Sequence, residues 1–164
     1  MCERGDRMLW LLGKTTRGPA WSEERKPLVR ATLACARLAW EWMPQAGREC
    51  IELYERWCAG EEIDRNKLLD ARRAAYAAAA YTAASYATAL ATATAAGYAA
   101  GYAATTAATD DAAYAYHAAD AADTAYAYAT ADAADAVATP AAGLSALKQA
   151  ADIVRREFPT VPEL

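Results

Sequence analysis

The sequence predicts an all-α protein, a helical bundle of about five helices in which two long alanine-rich helices pack closely together. Three observations carry this expectation. Alanine, the best helix former, dominates from Arg65 to Val137, and no proline falls in that stretch. In the flanks, apolar residues recur at the short steps that place them on one helix face. The alternation of β-branched and aromatic residues that strands prefer is missing. A chain of 164 residues suits a single domain with a core of its own. Within it, residues 1–25 read as an irregular N-terminal segment and 27–60 as two tryptophan-containing helices. Residues 65–138 read as an alanine and tyrosine core, and 141–158 as a C-terminal helix.

Taken in order, Gly18 and Pro19 mark a loop before the first helix, which Ser22 is placed to cap and Pro27 to begin. Leu28, Leu33, Ala34, Leu38 and Trp42 give that helix an apolar face, and Pro44 stops it. Cys50, Ile51, Tyr54, Trp57 and Cys58 repeat the pattern in the next helix, and Gly60 supplies its end. Asp64 is an N-cap for the helix that follows. From Arg65 to Ala108 an unbroken helix would be roughly 65 Å long, so a break is expected near Gly97, Gly101 or the "ATTAATDD" stretch. Thr109, Asp110 and Asp111 resemble a new start, with a capping hydroxyl and acids at the positive end of the helix dipole. That second long helix runs to Val137 and ends at Pro140. Leu144, Leu147, Ala151, Ile153, Val154 and Phe158 then line the last helix.

Charge is laid out unevenly behind a net value of −4. Between Ala74 and Leu147 there is no lysine or arginine, and the charges are Asp110, Asp111, Asp120, Asp123, Asp132 and Asp135. Nucleic-acid binding is not expected, because it needs clustered cations to displace counterions from phosphates. The run "MLWLL" is too short for a membrane span or signal core, and aspartates interrupt the alanine-rich centre, so a cytoplasmic protein without membrane association is expected. Cys2, Cys35, Cys50 and Cys58 form no C-x-x-C pair and have no nearby histidines, so zinc is not expected, and Cys35 and Cys58, in apolar helical patterns, read as buried free thiols.

The stretch "AYAYHAADAADTAYAYATADAADA", residues 113–136, is one phrase said twice. On a helical wheel Ala115, Ala118, Ala122, Ala125, Ala129, Ala133 and Ala136 form one stripe, and Ala77, Ala80, Ala84, Ala87, Ala91 and Ala95 form another that Tyr98 and Tyr102 continue. Such stripes let backbones approach closely, within a chain or between chains, and a homo-oligomer, a symmetric dimer above all, is expected. Tyr76, Tyr81, Tyr86, Tyr98 and Tyr102 are read first as packing residues. Beside the second stripe, Asp110, Tyr114, His117, Thr124, Tyr128, Asp132 and Asp135 share a narrow sector, while Tyr116, Asp120, Asp123, Tyr126 and Thr130 lie on the other side. These flanks read either as solvated surface or as a tyrosine, histidine and aspartate surface for a partner. The candidate binding residues are Tyr114, His117, Tyr128 and Asp132, joined by Tyr98 and Tyr102. No metal or cofactor is expected: His117 and Asp120 offer two ligands from one helix, fewer than a metal site requires. No catalytic residues are assigned, and an enzyme is not expected, because nothing is plainly placed to orient the single histidine.

The segments "LVRATLACARLAWEWMP", "IELYERWCAGEEID" and "ARRAAYAAAAYTAASYA", with Trp57, Gly60, Glu61, Ile63 and the Ala96–Gly97 pair, resemble a family of alanine-rich bacterial immunity proteins over about residues 28–137. Where that family carries a histidine after the Ala-Gly pair, this chain has Tyr98. The resemblance implies a non-enzymatic protein of immunity or counter-defence type that sequesters a partner protein. The residues leave open a small-molecule sponge with a tyrosine-lined pocket, in which Arg72, Arg73, Arg155 or Arg156 would meet an anionic nucleotide, and a structural oligomer. Ice binding is least favoured, since the threonine spacing from Thr94 to Thr105 meets a tyrosine at its next step, Tyr116.

Overall fold

The computed structural model describes residues 5–16, 18–83, 88–109, 114–115, 117–122, 124–125 and 140–159. Helices make up nearly all of them, and no strand occurs among the described residues. The helices are α1 (Gly5–Thr15), α2 (Lys26–Ala36), α3 (Gln45–Cys58), α4 (Arg65–Ala83) and α5 (Thr88–Ala108), then the helical residues within 114–125, here α6, and α7 (Pro140–Glu157). No described helix is long and apolar enough to cross a membrane.

The N-terminal segment is helical rather than irregular, because Met8, Leu9 and Leu12 fall on one face of α1. That face packs with Leu28, Ala31 and Cys35 of α2 and with Ala150, Ala151, Ile153 and Val154 of α7. Pro140 begins α7, the first-turn position where its missing N–H costs nothing.

The expected helix from Ser22 to Pro44 is divided. Ser22 precedes a short 3-10 turn, Glu23–Arg25, and its hydroxyl makes no capping bond, whereas Pro27 does sit in the first turn of α2. Beyond Ala36 the chain tightens into a 3-10 stretch, Arg37–Trp42, with Ala39 at φ −99° and ψ 15°. Such winding brings side chains at i and i+3 into register, and the Arg37 guanidinium lies 4.1 Å from the centre of the Trp40 ring. Met43 and Pro44, both extended, separate this stretch from α3.

In α3 most of the expected face is present: Cys50, Ile51, Tyr54 and Cys58 are buried and Trp57 is partly buried, and Gly60 takes a positive φ of 99° after the helix. Asp64 caps α4 as expected, its carboxylate accepting from the Asn66 amide at 2.9 Å.

The long alanine region does not break at Gly97 or Gly101, but it does at the third expected place, since α5 ends at Ala108 within "ATTAATDD". The helix ends at Ala83 and a new one begins at Thr88, and α4 and α5 run antiparallel, with Ala79 against Gly97 and Tyr76 against Gly101. The glycines serve close approach instead. A Cβ on Gly97 would stand 2.9 Å from the Ala79 Cβ, and one on Gly101 would stand 2.9 Å from the Tyr76 ring. The packed side of α4 is Leu68, Ala75 and Ala79, not Ala77 and Ala80, which are exposed. Ala84, Ala87 and Ala91 lie outside the residues whose side chains are described.

α5 is the central helix. Ala95, Ala96, Ala99, Ala100, Ala103, Ala104 and Ala107 are buried around most of its circumference, and α2, α3 and α4 pack on it. A helix apolar all round is a buried helix, which explains why no charge interrupts it. Larger side chains of the surrounding helices, Val29, Leu33, Ile51, Tyr54 and Leu68, complete this core. In α6 the stripe Ala115, Ala118, Ala122 and Ala125 is buried as expected, while Ala129, Ala133 and Ala136 lie outside the described residues. All these buried alanines are covered within one chain.

The C-terminal end of α5 is closed by the segment before α2. Arg25, only 2% exposed, donates from Nε and Nη2 to the Thr106 carbonyl at 3.3 and 3.1 Å. The Trp21 amide, on a residue with φ 65°, donates to the Ala107 carbonyl at 2.9 Å. Both carbonyls belong to the last turn of α5, and a guanidinium suits the negative end of its dipole. Thr109 closes α5, its amide and hydroxyl both donating to the Thr105 carbonyl, and Asp110 and Asp111, expected to open the next helix with it, lie outside the described residues.

Candidate functional site: an aromatic cluster around Tyr102

Tyr98 and Tyr102 are one helical turn apart on α5, at the edge of its alanine-packed surface, and their rings stack at 6.0 Å and 25°. From α4, Tyr76 meets Tyr102 edge-on at 5.6 Å and Tyr98 at 6.1 Å. From α6, Tyr114 lies 6.2 Å and His117 5.3 Å from Tyr102. Tyr102 thus touches four aromatic rings from three helices. Each such contact is worth about 0.5–1.5 kcal/mol beyond its buried area.

The geometry follows from small residues. Gly101 leaves room for the Tyr76 ring, and a side chain there would collide with it. The Thr105 hydroxyl donates to the Gly101 carbonyl at 2.8 Å, so it accepts from the Tyr76 hydroxyl at 3.1 Å. Burial pushes the Tyr76 phenol up to about 12. Burial also raises the Tyr102 phenol above its ordinary value, helped by Tyr98, Tyr114 and the Asp120 carboxylate. Tyr76 forms the floor of the cluster. Tyr98, Tyr102 and Tyr114 are half-buried, and His117 and Asp120 are exposed at its rim.

Of the candidate residues, the structure brings together Tyr98, Tyr102, Tyr114 and His117. Tyr128 and Asp132 lie outside the described residues, as do Asp110, Asp135, Tyr116, Asp123, Tyr126 and Thr130. The sequence reading missed Tyr76 as a member of this group; the signal was Gly101, whose absent side chain makes room for a ring. Tyr81, read as a packing residue, is 83% exposed because it points away from α5, and Tyr86 is not described. Among the described residues no group of three histidine, cysteine or acidic side chains is placed to hold a metal ion.

A second aromatic group lies at the opposite end of α4. Trp21 contacts Tyr54 at 6.1 Å and Trp57 at 5.6 Å, and the Lys26 ammonium lies 5.2 Å over the Trp57 ring and 2.7 Å from Glu23. An open cleft of about 610 Å³ follows, lined by Lys26, Trp57, Ile63 and the acids Glu23, Glu61, Glu62 and Asp64. Lys26 already occupies the aromatic face there, and the Tyr54 hydroxyl is engaged by the Leu68 carbonyl at 3.1 Å.

Cys35, Cys50 and Cys58 are free thiols, Cys35 and Cys58 buried as expected and Cys50 with them, burial raises each to about 12, and Cys2 lies outside the described residues. A thiol held protonated in this way is a packing group rather than a nucleophile. Compared with protein-family models, with curated proteins and with solved structures, the chain matches none of them.

Proposed function

We propose that this chain is a non-enzymatic binding protein of immunity or counter-defence type, which sequesters a partner protein through the aromatic cluster. The observation that carries the reading is the convergence of Tyr98, Tyr102, Tyr114 and His117 from two helices onto one accessible face, on a floor formed by Tyr76. Tyrosine is enriched in protein interfaces because it offers a large, stiff, amphipathic area at low entropic cost. The helices beneath are held by close alanine packing, so the rings are presented in a fixed arrangement, which lowers the cost of ordering them on binding. The resemblance to alanine-rich immunity proteins supports the same reading.

Replacing Tyr102 and Tyr114 by leucine and His117 by alanine together is the test. The triple variant is expected to lose a partner that the unaltered protein captures from its native host, while its helical content is unchanged. Equal capture by both proteins refutes the assignment of this face.

A further inference from the structure

We propose that the aromatic cluster recognises a cationic side chain, an arginine or lysine that the partner protein presents, with the tyrosine rings as its seat and Asp120 as its counter-charge. This rests on the reading of the chain as a partner-binding protein and adds the chemistry of the partner.

The first support is what this molecule does with three of its tryptophans. Trp10 carries Lys14 at 5.9 Å, Trp57 carries Lys26 at 5.2 Å, and Trp40 carries Arg37 at 4.1 Å and Arg48 at 5.5 Å. Each of these tryptophans is served by a cation from its own chain. The rings of Tyr98, Tyr102 and Tyr114 carry no such cation among the described residues. The cause lies in the sequence: no lysine or arginine occurs between Ala74 and Leu147, so α5 and α6 bring none to the cluster. Aromatic faces bear the negative end of a ring quadrupole and attract a cation within about 6 Å, most strongly when it is partly desolvated.

The second support is charge. The formal charges along α5 and α6 are all aspartates, and Asp120 stands exposed one turn beyond His117, close enough to act on the Tyr102 hydroxyl. Of the basic residues of α4, none acts on Tyr102, and the one that reaches the cluster does so at its floor. Arg73 pairs with Asp70 at 2.9 Å, and Arg72 acts on Cys50 and Tyr54 of α3 as well as on Tyr76 beneath the cluster. An anionic ligand would meet Asp120 at the rim of the accessible rings, whereas a guanidinium or ammonium finds both a π face and a carboxylate. Arginine suits the site best, since its planar group stacks on a ring while its edge pairs with the carboxylate.

The test is ring-selective NMR of the tyrosines in the full chain, titrated with octa-arginine and, separately, with octa-glutamate. The resonances of Tyr98, Tyr102 and Tyr114 are expected to move with octa-arginine alone. Asp120→Asn, at an exposed position that leaves the fold intact, should weaken that binding about two- to fivefold. Tyr102→Leu should remove it. Ring resonances that stay fixed with octa-arginine, that move with octa-glutamate, or that respond equally in Asp120→Asn overturn cationic recognition. If these fail while the triple variant still loses its captured partner, the cationic chemistry falls and the binding reading stands; if both fail, both fall.

Discussion

Gly97 of α5 and Ala79 of α4 are in backbone-limited contact: a methyl group at Gly97 would stand 2.9 Å from the Ala79 Cβ, inside any real carbon–carbon approach. The two helices are therefore as close as a glycine opposite an alanine allows. Gly97→Ala gains helix propensity, about 0.5–1 kcal/mol, but must push the helices apart. The net effect is expected to be a loss of about 1–3 kcal/mol in denaturant unfolding. In an Ala79→Gly background the same substitution should cost less, because the opposing methyl is gone. An equal cost in both backgrounds would show that the contact does not set the helix spacing.

Arg25 links the segment before α2 to the end of α5 through the Thr106 carbonyl. Arg25→Met keeps most of the buried volume and removes the donors, so it should cost about 2–3 kcal/mol in the same measurement. Arg25→Lys should recover only part, since an ammonium lacks the planar fork that reaches the carbonyl from two nitrogens.

The buried thiols give a pH dependence whose sign is fixed. Cys35, Cys50 and Cys58 have their folded-state values raised from 9.0 to about 12. Below about pH 9 both states keep the protons and the thiols contribute nothing to pH dependence. Above it the unfolded chain releases protons that the folded chain retains, so stability falls steadily as pH rises from about 9 to 12. Urea midpoints across that range check it. A triple cysteine-to-alanine variant should show a shallower decline, on a lower baseline set by the cavities it creates.

Tyr76 is the floor of the cluster, and its hydroxyl is spent on Thr105 rather than presented to a partner. Tyr76→Phe should therefore lower stability by about 0.5–1.5 kcal/mol while leaving partner capture unchanged. Tyr102→Leu is expected to do the reverse in emphasis, weakening capture more than the fold.

Much of this architecture was legible in the chain. The all-α class, the Asp64 cap, the buried face of α3 and the alanine stripe of α6 follow from propensity and period alone. The reversal between α4 and α5 was not, because residues 84–87, Ala-Ser-Tyr-Ala, contain no breaker, while the glycines that looked like breakers are contact points. Nor was the face of α4. In a helix of nearly uniform alanine, every wheel direction offers a stripe, so the choice of Leu68, Ala75 and Ala79 over Ala77 and Ala80 is made by the helices that cover it. The site was half legible: Tyr98, Tyr102, Tyr114 and His117 stood out as polar aromatic residues, but their meeting depends on the antiparallel turn that brings Tyr76 and Gly101 together. The helix at Gly5–Thr15 escaped because its apolar face is carried by only Met8, Leu9 and Leu12.

The central claim, that the cluster around Tyr102 holds a partner protein, is tested most directly by native mass spectrometry of the protein purified gently from its own host. The unaltered chain is predicted to carry a second protein of defined mass, and the variant lacking Tyr102, Tyr114 and His117 to appear without it. The same bound species on both proteins, or two identical spectra of the chain with no second protein, would contradict it.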